Sequence, residues 1–119
     1  MSHIVEIAAR VRDRSAISAA CQRLSLAEPI EGIAELYSGR ASGLLLLLPG
    51  WVYPAVIDLP TGQVRYDNFE GRWGEQSRLD LFLQAYAVEK ARLEARKAGQ
   101  VVAEQTLEDG SIKLTIQVA

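Results

Sequence analysis

Leu44-Leu45-Leu46-Leu47-Leu48-Pro49-Gly50 is the stretch on which the reading turns. Successive side chains of a strand point to opposite faces, so five consecutive leucines are apolar on both. Such a segment suits the centre of a sheet, with a helix above and a partner below. Pro49-Gly50 ends it. The uncharged run around it, Ala41 to Ile57, is seventeen residues long, at the lower limit of a membrane-spanning helix. Pro49, Gly50 and Pro54 interrupt it, which favours two short buried strands over a span.

Working outward, Val52 to Leu59 reads as the next strand, with Pro54 pushing it toward an edge or a bulge. Pro60-Thr61-Gly62-Gln63 is a turn leading into Val64-Arg65-Tyr66, and the two segments make a hairpin. Upstream, Gly32 to Tyr37 is a short strand. Ser38 to Gly43 reads as a turn with two glycines, and Leu26 to Glu31 as a connection containing Pro29. Nearer the start, Ile4 to Val11 alternates with period two, the pattern of a half-buried strand. Asp13 or Ser15 can cap a helix whose apolar stripe is Ile17, Ala20, Cys21 and Leu24. Cys21 on that stripe reads as a core thiol, since no activating neighbour is evident.

Asp67 to Gly74 is the least regular stretch and reads as a loop. Glu75 to Ala98 is a long helix with an apolar stripe of Leu79, Phe82, Leu83 and Tyr86 in its first half and charges in its second. Gly99 suits the position after its end. About 24 residues at 1.5 Å each reach roughly 36 Å, so its polar end is expected to project. A terminal hairpin follows: Val101 to Leu107, a turn at Asp109-Gly110, and Ile112 to Val118 in strict alternation. The expected architecture is α+β in one domain, residues 1–119. It is a mostly antiparallel sheet of about six to seven strands with two helices on one face, in the order β-α-β-β-β-β-α-β-β.

Composition narrows the chemistry. The 119 residues are 49% hydrophobic and 24% charged, with a net charge of −2. A nucleic-acid binder needs a basic excess to neutralise phosphates, so that class is disfavoured. Arg10, Arg12 and Arg14, and Arg92, Arg96 and Lys97, are the basic concentrations, each mixed with acids in a solvated pattern. One cysteine excludes an internal disulfide and any zinc site of four cysteines or of two cysteines and two histidines, and a single histidine disfavours His-rich metal sites and Ser-His-Asp chemistry. Glu6, Arg10 and Arg12 prevent a signal-peptide core, so a soluble cytoplasmic protein is expected, with no membrane partner. No phosphate-binding, dinucleotide-binding, kinase or hydrolase motif occurs. No catalytic residue, metal ligand set or cofactor is therefore expected.

Two groups of residues stand out as binding candidates. Ser2 and His3 would place an amine beside an imidazole, able to hold a metal or act in catalysis if Met1 is removed. The plainer reading is a solvent-facing strand end. Tyr66, Asp67, Asn68, Arg72 and Trp73 form a polar-aromatic cluster in a glycine-rich loop, with Trp51 and Tyr53 as neighbours. Loops on rigid scaffolds carry function, and Tyr, Trp and Arg anchor interfaces. The alternative is rings tucked onto the core. Asp58 and Asp67 flank one hairpin and could meet across it as a carboxylate pair, though solvated turn acids explain both. Either Val52–Leu59 or Ile112–Val118 offers an edge through which two copies could pair as a homodimer.

Met1-Ser2-His3 running into a strand, Gln84-Ala85-Tyr86-Ala87-Val88-Glu89-Lys90 in the long helix, and Glu108-Asp109-Gly110 through Val118 resemble the small proteins of the chloroplast reading-frame family "ycf thirty-five", found also in cyanobacteria and other bacteria. Ser2, His3, Tyr86, Asp109 and Gly110 match its pattern. Leu44 to Leu48 and Pro49-Gly50-Trp51 depart from the algal form and look closer to a bacterial branch. The resemblance implies an accessory protein acting through protein contacts, with an AAA-type ATPase as partner. The composition leaves a second class open, a small-ligand binder or enzyme using the Tyr66–Trp73 loop.

Overall fold

The computed structural model describes residues 4–7 and 10–118. Its elements are β1 (Val5–Ile7), α1 (Arg14–Arg23), β2 (Ile30–Leu36), β3 (Gly39–Leu46), β4 (Ala55–Asp58), β5 (Gln63–Tyr66), a 3-10 turn (Phe69–Gly71), α2 (Gln76–Lys97), β6 (Gln100–Thr106) and β7 (Ile112–Val118). The expected α+β order holds. The single sheet of six to seven strands does not. Five strands form one antiparallel sheet in the order β1-β5-β4-β3-β2, and β6 with β7 forms a separate ribbon. The reason is the helix between them. Twenty-two residues at 1.5 Å each carry the chain about 33 Å before β6 begins. The ribbon therefore packs along the outer half of α2 instead of joining the sheet, and the polar half of the helix carries it rather than projecting free.

The leucine run behaves largely as its composition demands. Leu44, Leu46 and Leu48 are buried, Leu45 is half-buried, and Leu47 is exposed beyond the end of the strand. Leu44 pairs with Ile57 and Leu46 with Ala55. Their face meets Ala16, Ile17, Ala20 and Cys21 of α1 and Leu79, Phe82, Ala85 and Tyr86 of α2 in one core, so both helices lie on one side of the sheet. Two expectations fail here. Pro54 does not mark an edge, because it precedes β4, which is central. Ser38 to Gly43 is not a turn: Gly39 already begins β3, and the turn is only Tyr37-Ser38.

The other face has its own small core of Ala34, Leu36, Ala41 and Val56, with Ile4, Leu45 and Tyr53 against it. Its origin is a glycine pair. Gly32 of β2 lies opposite Gly43 of β3. Gly43 has φ +154°, and a Cβ there would stand 2.4 Å from the Ile57 carbonyl oxygen. Only glycine permits that approach. Beyond this pair the β2–β3 hairpin folds back over the sheet. Its outer residues then reach Val56 and Tyr53, at the end opposite to where a straight hairpin would point.

A clamp joins the two helices. Asp13 caps α1, its Oδ1 accepting from Ala16 N at 3.2 Å. The Tyr86 hydroxyl accepts from Arg12 N at 3.2 Å and Asp13 N at 3.1 Å. Lys90 Nζ donates to Asp13 Oδ2 at 2.9 Å. Further along, Glu104 of β6 accepts from Arg23 of α1 and from Arg92 of α2, the latter at 2.7 Å, and Gln84 Nε2 donates to Gly110 O at 3.0 Å. These polar contacts, with half-buried Val102, Ile112 and Leu114, hold the ribbon down.

Two consequences are measurable. Tyr86→Phe leaves two backbone N–H groups without their acceptor and is expected to cost about 1–3 kcal/mol in denaturant unfolding. The Lys90 ammonium, and then the Ala16 N–H, hold the Asp13 carboxyl below its ordinary value. Its contribution is therefore complete above the unfolded-state value of about 4 and is lost as pH falls through the lower folded value. Asp13→Asn should flatten the acid limb of the stability curve. A third test concerns Cys21. Burial, followed by Glu28, pushes its thiol up to about 11. A thiol-directed reagent at pH 8 should therefore label it only after denaturant is added.

Candidate functional site: an aromatic face at the end of the sheet

The chain leaves β5 at Tyr66 and makes a compact loop before α2. Asn68 organises it. This residue is 5% exposed; its Nδ2 donates to Gly74 O at 3.1 Å and Gln76 Oε1 at 3.3 Å. Its carbonyl accepts from Gly71 N at 3.0 Å and Trp73 N at 2.9 Å. Asp67, 1% exposed, accepts from Phe69 N at 3.4 Å through Oδ1. Its Oδ2 has no hydrogen-bond partner among the described residues. Phe69 and Glu70 adopt φ of +47° and +54°, the left-handed region that side chains resist. That conformation turns the Phe69 ring toward Trp73.

The loop is seated on Trp51. This indole donates from Nε1 to Glu75 O at 3.0 Å and meets Tyr66 edge-on at 5.7 Å between centroids. Gly74 lies flat against it: a Cβ there would stand 2.4 Å from Trp51 Cδ2. The neighbouring Val52 N donates to Trp73 O at 2.8 Å. The result is a fixed platform for the Trp73 indole.

Three rings converge on that indole. Tyr37 lies 5.2 Å away, Tyr53 5.6 Å and Phe69 4.8 Å, centroid to centroid. The geometries are tilted or edge-on, the arrangements that aromatic quadrupoles favour. The Arg72 guanidinium lies 5.0 Å from the Phe69 ring centroid, a cation–π distance. Tyr37 is 64% exposed and Val52 62%.

The five residues expected in the loop thus divide. Tyr66, Asp67 and Asn68 are buried and hold the scaffold; Arg72 and Trp73 belong to the outward face. Tyr53 joins Trp73 as expected, and Trp51 lies beneath. Asp58 and Asp67 are not brought together: Asp58 pairs with Gln63 at the turn end of the β4–β5 hairpin, and Asp67 follows its opposite end. Ser2 and His3 lie outside the described residues. Among the described residues no three His, Cys, Asp or Glu groups converge as a metal site. Local sequence gave no sign of Tyr37, which arrives from thirty-odd positions away through the folded hairpin. Phe69 lies within the Asp67 to Gly74 loop, and its φ is what recruits it.

Asn68→Ala is expected to lower stability by about 1–3 kcal/mol, since it strips a buried acceptor set of its donors. Gly74→Ala should displace Trp51 and shift the intrinsic tryptophan emission even where the protein stays folded.

Comparison with known proteins gives no match to this chain, whether with protein-family models, curated proteins or solved structures.

Proposed function

We propose that this protein is a non-enzymatic accessory protein that acts through protein–protein contact, with the face around Trp73 as its contact surface. The convergence of Tyr37, Tyr53 and Phe69 on one half-buried indole carries the reading. Binding energy at interfaces concentrates in aromatic and arginine side chains that are already held in place, because little conformational entropy is then lost on association. Here Asn68 and Trp51 hold them. The partner we propose is the AAA-type ATPase that the resemblance to the "ycf thirty-five" proteins implies, met in the cytoplasm. No helix among the described residues is long and apolar enough to cross a membrane.

The second reading is a small-ligand site on the Tyr66–Trp73 loop. Asp67 favours it, since a carboxylate oxygen buried without a partner is costly and invites a donor from outside. A ligand bound by the native protein and by Tyr37→Ala, but not by Asp67→Asn, would support this second reading over the first.

For the first reading, tagged native protein, Tyr37→Ala and Arg72→Ala are used to capture partners from the host. Native protein should recover a stoichiometric ATPase. Each variant should recover at least about tenfold less, with unfolding midpoints near the native value, as expected for exposed positions. Equal recovery by all three proteins removes the aromatic face as the contact surface.

A further inference from the structure

The β6–β7 ribbon contains no fully buried residue among those described. An isolated two-stranded ribbon is marginal in water. Most of its apolar side chains lie on one face: Val102, Ile112, Leu114, Ile116 and Val118 share it through the register Val102–Ile116, Glu104–Leu114 and Thr106–Ile112, while Val101 and Ala103 lie on the other. Toward the end of β7 that face runs out of cover, with Ile116 48% and Val118 85% exposed.

The backbone sets the direction in which more sheet can grow. Leu107 N donates to Ser111 O at 2.8 Å. Hydrogen-bonded pairs alternate along an antiparallel ladder. Counting from that pair, Gln105–Lys113, Ala103–Thr115 and Val101–Gln117 bond across the ribbon. The N–H and C=O groups of Ile112, Leu114, Ile116 and Val118 therefore point away from β6. Among the described residues no strand meets them.

We infer that β7 pairs with β7 of a second copy of this chain, antiparallel, about a two-fold axis at Thr115. That axis sets Ile112 opposite Val118, Leu114 opposite Ile116 and Thr115 opposite itself. The outward-pointing residues then face one another, so each Leu114–Ile116 and Ile112–Val118 pair exchanges two hydrogen bonds. Apolar side chains meet apolar ones. Lys113, the one charge in β7, faces Gln117 of the second copy. Thr115 meets Thr115 in a pair with closely spaced side chains, a favourable combination.

Two other edges, β6 and β2, fail this test. A two-fold at Ala103 of β6 would set Val102 against Glu104, which Arg23 and Arg92 already hold. At Ile33 of β2 it would set Glu31 against Glu35, two like-charge pairs. Opposite residues of an antiparallel pair share a face, so both α2 helices lie on one side of the resulting four-stranded sheet. The uncovered Val118 comes beside Ile112 of the second copy, which is half-buried over its own helix.

The test uses the full chain in sedimentation equilibrium at micromolar concentrations. Native protein should be dimeric. Thr115 is exposed, so Thr115→Lys leaves the monomer fold intact, which circular dichroism checks. It places two ammonium groups in contact and should raise Kd at least about tenfold. Thr115→Glu should do the same, and an equimolar mixture of the two variants should return to dimer. Under mild oxidation Thr115→Cys should form an intermolecular disulfide, whereas Lys113→Cys should not; buried Cys21 does not compete. Tyr37→Ala should remain dimeric, which separates this inference from the aromatic-face reading. A monomer at every concentration, a dimer indifferent to Thr115→Lys, or cross-linking at Lys113→Cys equal to that at Thr115→Cys overturns it.

Discussion

Two glycines facing each other decide the shape of this protein. At Gly32 and Gly43 the β2–β3 hairpin has no side chains to keep it level with the sheet, and Gly43 comes within contact of the Ile57 carbonyl. The hairpin folds over there. Ala34, Leu36 and Ala41 gain a core against Val56 and Leu45, and the turn residue Tyr37 is carried to Trp73. Without that bend, the second core would be open and the aromatic face would lack its most exposed ring. A side chain at Gly43 would therefore disturb the aromatic face from a distance, through the backbone rather than through any residue of the face itself.

The opposite side of the sheet is built by more ordinary means. Alternation in β3 and β4 meets the i, i+3, i+4 stripes of two helices, and the apolar core follows. The charged groups then fix how those helices lie. Asp13 serves three neighbours at once, its own helix cap, the Tyr86 hydroxyl through its backbone and the Lys90 ammonium through its side chain. Glu104 does similar service between α1, α2 and β6. Both carboxylates lie below their ordinary range because cations and N–H donors favour the charged form.

Much of this was legible in the residues. Period-two alternation marked Ile112 to Val118, the 3.6-residue stripe marked Leu79 to Tyr86, and Asp109-Gly110 marked its turn, because each signal is local. The span legible for the long helix, Glu75 to Ala98, differs from Gln76–Lys97 by one residue at each end. The division into two sheets was not legible. Nothing in Val101 to Leu107 says whether its neighbour is a strand or a helix; the length of α2 decides that. Gly39 and Gly43 read locally as turn glycines yet both lie in β3, since a glycine in a sequence does not say whether it ends a strand or bends one. Of the loop cluster, residue type identified the right segment, but it could not separate the buried Asn68 from the outward Arg72. That distinction depends on Gly74 and Trp51, which are remote from Asn68 in pattern though close in space.

The two tryptophans have a spectroscopic consequence. Trp51 and Trp73, the only two in the sequence, both sit at the same end of the five-stranded sheet, the Trp51 ring against Gly74 and the Trp73 carbonyl bonded to Val52 N. Intrinsic fluorescence from this protein is therefore a local probe. It reports the packing of the aromatic end and is blind to the β6–β7 ribbon, which contains no aromatic residue. Fraying of the ribbon would pass without a fluorescence signature, while a loosened loop would be seen even in a chain that is otherwise folded.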